Sequence, residues 1–224
     1  MAPHNIWIQC APAAAKGEAV RCYLYYGHYL EPDGQAEAAR VRWWVAAPSR
    51  EPEALRPAAS GQALAAAFTP DTHGVYTLLA TYDRGLFTVT RDGRWLPGAA
   101  AHPGEEVART VELCYFAKRL VFVDATEPWP GSFAQELEIV PFKPERDELT
   151  VLVQHRGRPL PGAQVWAHCQ GKPRTRLAVT DMHGKADFGL TPGEWLLLVR
   201  HEGRPAQADA DARITNAVFG LTWA

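Results

Sequence analysis

Serine is nearly missing from this chain. Only Ser49, Ser60 and Ser132 occur among 224 residues, and none sits in a Gly-x-Ser-x-Gly elbow. There is no His-Glu-x-x-His helix, no phosphate-cradling glycine loop and no dinucleotide fingerprint, and no motif nominates a carboxylate pair for glycoside hydrolysis. Cysteine is scarce too. Cys10, Cys22, Cys114 and Cys169 include no C-x-x-C pair, which argues against a structural zinc site of the usual kind and against a thioredoxin-like redox motif. No run approaches the ~20 apolar residues that span a bilayer, so no direct membrane span is expected. Charge of either sign is not in excess: 23 basic against 25 acidic residues leave a net of −2, which excludes an electrostatic case for nucleic acid or an anionic membrane. The first fifteen residues lack a basic head and an apolar core. The chain is then either cytosolic, or Met1 precedes a mature, exported sequence.

What the chain does have is turn chemistry. Eighteen Gly and eighteen Pro punctuate β-branched and aromatic runs, which favours an all-β class. Leu149, Val151 and Val153 alternate with Thr150, Leu152 and Gln154, the period of two that one buried sheet face requires. The alternation resumes at Ala163, Val165, Ala167 and Cys169, and Pro192-Gly193 turns the chain into a strand ending near His201. Earlier, Asn5–Ala11 and Glu18–Tyr26 read as strands, the first with Ile6, Ile8 and Cys10 on one face, the second with Val20, Cys22, Leu24 and Tyr26. Glu31-Pro32-Asp33-Gly34 reads as a turn, Glu53–Leu55 as one helical turn, and Tyr82–Phe87 as a hairpin. The stretch 107–123 is ambiguous: its first part is helical by composition, its end strand-like. The charged segment 143–148 marks a boundary between two β patterns. The expectation is two β-sandwich modules in tandem, immunoglobulin-like or prealbumin-like, over residues 1–143 and 144–224.

If the first two strands pair antiparallel with Cys10 opposite Cys22, opposite positions sum to 32, and His4 falls opposite His28. Opposite Cβ atoms lie ~4.5–5.5 Å apart, close enough for two imidazoles to share a metal. Two ligands are too few for zinc, nickel or copper. His201, at a strand end, and Glu31 or Asp33, beyond His28, are the candidates to complete the set. The competing reading makes His4 a fraying terminus and His28 a solvated strand end. Removal of Met1 would put histidine third, but Pro3 lacks the amide that a square-planar terminal chelate needs; a mature terminus at His4 itself would offer amine and imidazole together. His73 and His183 read as turn residues, His155 and His168 as strand ends, and His102 as part of a loop. Cys10 and Cys22 are either a disulfide of an oxidising compartment or two packed thiols, their apolar face favouring the thiols. Trp43, Trp44, Trp129, Trp166 and Trp195 are either core or an exposed platform for stacking on sugar rings.

Several segments together resemble a known family: His4-Asn5-Ile6-Trp7-Ile8, Gly27-His28, Phe116-Ala117-Lys118, Leu137-Glu138-Ile139-Val140-Pro141, Gly157-Arg158-Pro159-Leu160-Pro161-Gly162-Ala163-Gln164-Val165, Thr180-Asp181-Met182-His183-Gly184 and Pro192-Gly193-Glu194-Trp195-Leu196. The chain resembles a bacterial, mostly periplasmic family of unknown function associated with nickel or cobalt uptake. Its C-terminal part looks like the prealbumin-like, carboxypeptidase-regulatory-like β-sandwiches that serve as accessory domains. The resemblance implies a periplasmic address and a binding rather than catalytic role. It departs at Cys114-Tyr115-Phe116, where metal-uptake members would carry a histidine. Taken together, the expectation is an exported, non-enzymatic binding protein that coordinates a transition-metal ion (nickel, cobalt, copper or zinc) through His4, His28 and His201, for delivery to a membrane transporter component. The alternatives are a β-sandwich interaction module without a ligand, and a carbohydrate-binding module using exposed tryptophans.

Overall fold

The computed structural model describes residues 4–28, 30–99, 104–145, 148–172 and 175–223. In chain order the described strands are β1 Asn5–Cys10, β2 Ala13–Ala14, β3 Val20–His28, β4 Glu31–Gly34, β5 Val41–Ala46, β6 Glu53–Leu55, β7 Ala58–Ser60, β8 Ala63–Phe68, β9 Gly74–Thr90, β10 Trp95–Pro97, β11 Val107–Val123, β12 Leu137–Pro141, β13 Glu148–His155, β14 Arg158–Pro159, β15 Gln164–Cys169, β16 Arg176–Val179, β17 Lys185–Gly189, β18 Gly193–Gly203 and β19 Ala212–Trp223. Among the described residues one 3₁₀ turn, Ala38–Arg40, is the helical exception. The protein is all-β, as composition and turn spacing predict.

Three sheets form. β1-β3-β8-β7 with β4 makes the first, and β12-β13-β14 with β17 makes the third. Between them runs a long sheet in the order β16-β15-β18-β19-β11-β9-β5-β6, with β10 on β9 and β2 on β11. β11 shows why the sheets stack on opposite faces of it. Val111, Leu113, Tyr115, Ala117, Val121 and Val123 face a core shared with Ile6, Ile8, Leu24 and Trp43. Cys114, Phe116 and Leu120, the alternate residues, face a second core with Leu137, Ile139, Val151, Val165 and Leu197. A strand buried on both faces carries no polar alternation, so its sequence looks continuous and mimics a buried helix. That is the reason for the ambiguity at 107–123, which is one uninterrupted strand.

The boundary drawn at 143/144 falls between β12 and β13, which pair from Leu137↔His155 to Pro141↔Val151. The C-terminal strand β19 then returns to lie parallel to β11, from Val111↔Ala212 to Arg119↔Gly220. One sheet therefore runs through both expected modules.

Three local readings change. Glu53–Leu55 is strand rather than helical turn, because Trp43 pairs with Leu55 and Val45 with Glu53. Glu31–Gly34 is strand, paired back onto β3. Asp83-Arg84-Gly85 is not a hairpin but a bulge: Leu113 opposes Gly85 and Cys114 opposes Asp83, which leaves Arg84 as the extra residue. Gly85 takes φ +73°, the left-handed conformation that such a bulge needs.

Candidate metal centre

β1 and β3 pair in the register that the cysteines suggest, Cys10↔Cys22, Ile8↔Leu24, Ile6↔Tyr26 and Asn5↔Gly27. One step further His4 meets His28, with ring centroids 4.1 Å apart. The four cysteines are all free thiols, and Cys10 and Cys22 pack in the first core.

β4 supplies the third group. Tyr26 opposes Gly34 but Gly27 opposes Pro32, so Asp33 is the residue left over and projects from a bulge. Gly27 allows that close return. A Cβ on it would lie 2.2 Å from the Glu31 carbonyl oxygen and 2.9 Å from the Asp33 nitrogen. The turn into β4 is held by Leu30, which accepts a left-handed φ of +69° and buries its side chain against Trp7, Leu196 and Val218. Asp33 then reaches both histidines: Oδ1 lies 3.2 Å from His4 Nε2, and Oδ2 lies 2.5 Å from His28 Nδ1. One ligand atom from each of the three lies within 4.8 Å of the others.

Two ligand atoms bound tetrahedrally at ~2.0–2.1 Å sit about 3.3 Å apart. The His4–Asp33 spacing already matches, and the His28–Asp33 contact needs to open by under about 1 Å. Two imidazoles and one carboxylate suit zinc, nickel, cobalt or copper better than calcium or magnesium, which prefer all-oxygen cages. His4 is fixed from both sides. Its ring stacks on Tyr26 at 4.6 Å and 3°, and its carbonyl accepts a hydrogen bond from the buried Asn216 amide at 3.1 Å. Burial first, then the neighbouring His28, pushes the His4 pKa below its usual 6.5, which favours the neutral, ligating form.

His201 does not join this group. Along β18 it shares a face with Trp195, Leu197 and Val199, which point into the second core, whereas Arg200 on the opposite face lines a pocket with His4. His201 instead sits beside His155, ring centroids 4.3 Å apart, with Glu136 3.9 Å from His155. Burial lowers both imidazole pKa values. The third group beside the two histidines is Asp33, weighed with Glu31 from sequence position and selected over it by the bulge. His73 lies 3.3 Å from Asp124, His183 sits in the turn where its own amide donates to Asp181, and His168 lies near Thr175. His102 lies outside the described residues.

The tryptophan platform finds little surface. Trp43 and Trp195 are buried, Trp44, Trp129 and Trp166 are half-buried, and the exposed tryptophan among those described is Trp95. Sequence reasoning missed two further features. Arg84 and Arg200 converge on the pocket beside His4, and no local pattern announces this except the Asp83-Arg84-Gly85 bulge. Lys118 and Glu138, from two of the family-like segments, form an ion pair that is almost wholly buried. Among the described residues no helix is long and apolar enough to cross a membrane.

A family described as "Domain of unknown function (DUF4198)" matches residues 1–203. No curated protein matches. One solved structure, titled "Cytokine receptor complex - Crystal form 1A", is 12% identical over 96% of this chain and 95% of its own, with a TM-score of 0.27, too low to carry an argument.

Proposed function

We propose, for a chain that belongs to the DUF4198 family of unknown function, a non-enzymatic role: reversible binding of a transition-metal ion by His4, His28 and Asp33. The observation that carries this reading is the convergence of two imidazoles and a carboxylate, built from a cross-strand register and a bulge. Nickel, cobalt, copper and zinc are the ions the donor set suits. Delivery to a membrane transporter component in the periplasm is the setting we propose for it. Partial exposure of all three side chains supports uptake and release rather than a closed structural site.

Calorimetry on untagged protein tests the reading. One equivalent of nickel, copper or zinc should bind at pH 7.5. His28→Ala and Asp33→Ala should each weaken binding at least tenfold, while His201→Ala leaves it unchanged. Retention should fall below about pH 6, as the imidazoles protonate. Equal affinity in the wild type and the His4→Ala and His28→Ala variants would remove the site.

A ligand-free interaction module is the second reading. It is favoured by β16, an edge strand of the long sheet whose Leu177 and Val179 are 54% and 56% exposed.

A further inference from the structure

Beside the His4 ring lies a cavity of about 230 Å³, lined among others by Tyr26, Phe87, Trp95, Leu113, Arg84 and Arg200. Its walls are aromatic and aliphatic, yet two guanidiniums enter it. The bulge in β9 aims Arg84 there. Its guanidinium lies 5.1 Å from the Tyr26 ring centroid and 4.8 Å from that of Phe87, and it donates to the Tyr26 hydroxyl. Arg200 enters from β18, opposite Asn216 on β19.

Neither arginine is paired with a carboxylate among the described residues. Arg200 is half-buried and makes no hydrogen bond or ion pair among the described residues, and the neighbouring Glu202 is taken by Arg109 at 2.6 Å. Burial accordingly lowers its pKa from the usual guanidinium value, against partial opposing pulls from Glu202 and Tyr115. Arg84 likewise has no carboxylate partner among the described residues: Glu37, which lines a pocket with it, pairs with Arg40, and Asp33 pairs with the two histidines. A protein gains little in stability from sheltering a guanidinium without a counter-charge. Such a group is expected where a ligand supplies the anion.

We propose that this cavity is a binding site for a small organic carboxylate with a flat apolar body. The carboxylate takes the guanidiniums of Arg84 and Arg200, and the body packs among Tyr26, Phe87, Tyr115 and Trp95. At ~30 Å³ per water the cavity holds roughly eight waters' volume, which suits a ligand about the size of benzoate. The site goes beyond the metal reading and does not depend on it, although His4 is common to both.

The test uses chelator-treated, metal-free protein, so that its outcome is separate from that of the metal site. Benzoate titrated by calorimetry should bind saturably at one equivalent. Its neutral isostere benzamide and inorganic phosphate should bind at least tenfold more weakly, because the first lacks the charge and the second the apolar body. Arg200→Gln should weaken benzoate about tenfold or more and Arg200→Lys by less. Arg200→Gln should also melt at or above the wild-type temperature, since it removes an unpaired charge, and that control separates lost binding from lost folding. Equal binding of benzoate and benzamide, equal binding of phosphate, or full affinity in a folded Arg200→Gln protein would each overturn the proposal.

Discussion

Removing the Glu138 carboxylate should unfold this protein more readily than removing its partner Lys118, and the structure sets the size of the difference. Lys118 is 2% exposed and Glu138 1%, on β11 and β12 within the second layer of packing. Glu138 is satisfied three times, by Lys118 Nζ, by Ser132 Oγ at 2.6 Å and by the Phe133 amide at 2.9 Å. Among the described residues Lys118 has one acceptor, Glu138, with the Phe133 ring 5.5 Å away. Burial pulls the Lys118 pKa down and Glu138 opposes that pull. Glu138→Ala therefore leaves a buried ammonium with no acceptor, a loss of about 3–5 kcal/mol. Lys118→Met leaves a carboxylate that keeps two donors, and should cost about 1–3 kcal/mol. With ~2.1 cal/mol/K of unfolding entropy per residue, 224 residues give about 0.5 kcal/mol/K, so Glu138→Ala should lower Tm by about 6–11 °C. The double variant Lys118→Met/Glu138→Leu should recover most of the loss. Scanning calorimetry and urea midpoints on the four proteins decide it. Equal losses in the two single variants, or a loss below about 1 kcal/mol in Glu138→Ala, would refute the reasoning.

Two further outcomes follow from particular residues. Gly27→Ala should push the Glu31–Asp33 return away from β3, because its Cβ would sit 2.2 Å from the Glu31 carbonyl oxygen; we expect at least tenfold weaker metal binding with β1–β3 pairing kept, read by calorimetry beside far-UV circular dichroism. Acid should destabilise the metal-free protein early: His4, His155 and His201 all have pKa values held below 6.5, chiefly by burial, so the unfolded chain takes up protons first. Stability is then fully present above about pH 6.5 and lost as pH falls from there towards the folded values, and urea midpoints that stay level between pH 7.5 and pH 5 would contradict it.

Much of the site was readable one strand at a time. The constant-sum register supposed from Cys10 opposite Cys22 puts His4 opposite His28; local alternation excludes a one-residue slip, which would turn Ile6, Ile8, Leu24 and Tyr26 out of the core, and the assembled β1–β3 pair fixes the register itself. The third candidate ligand was readable only as a choice. Glu31 and Asp33 both follow His28 closely, and a bulge, which no pattern in Glu31-Pro32-Asp33-Gly34 declares, selects Asp33. His201 was misplaced for a related reason. A strand end locates a residue along its strand, but the face it points to depends on which sheets pack above and below.

The fold divides the same way. Alternation at Leu149–Val153 and Val165–Cys169, with glycine and proline between, is sufficient to make these segments strands with one buried face, because the period of two is a property of the chain itself. That β19 returns beside β11, that β11 is buried on both faces, and that Lys118 finds Glu138 are decided by the assembled sheets alone. Those contacts join residues distant in sequence, and only the packing of three sheets against one another settles which of them become neighbours.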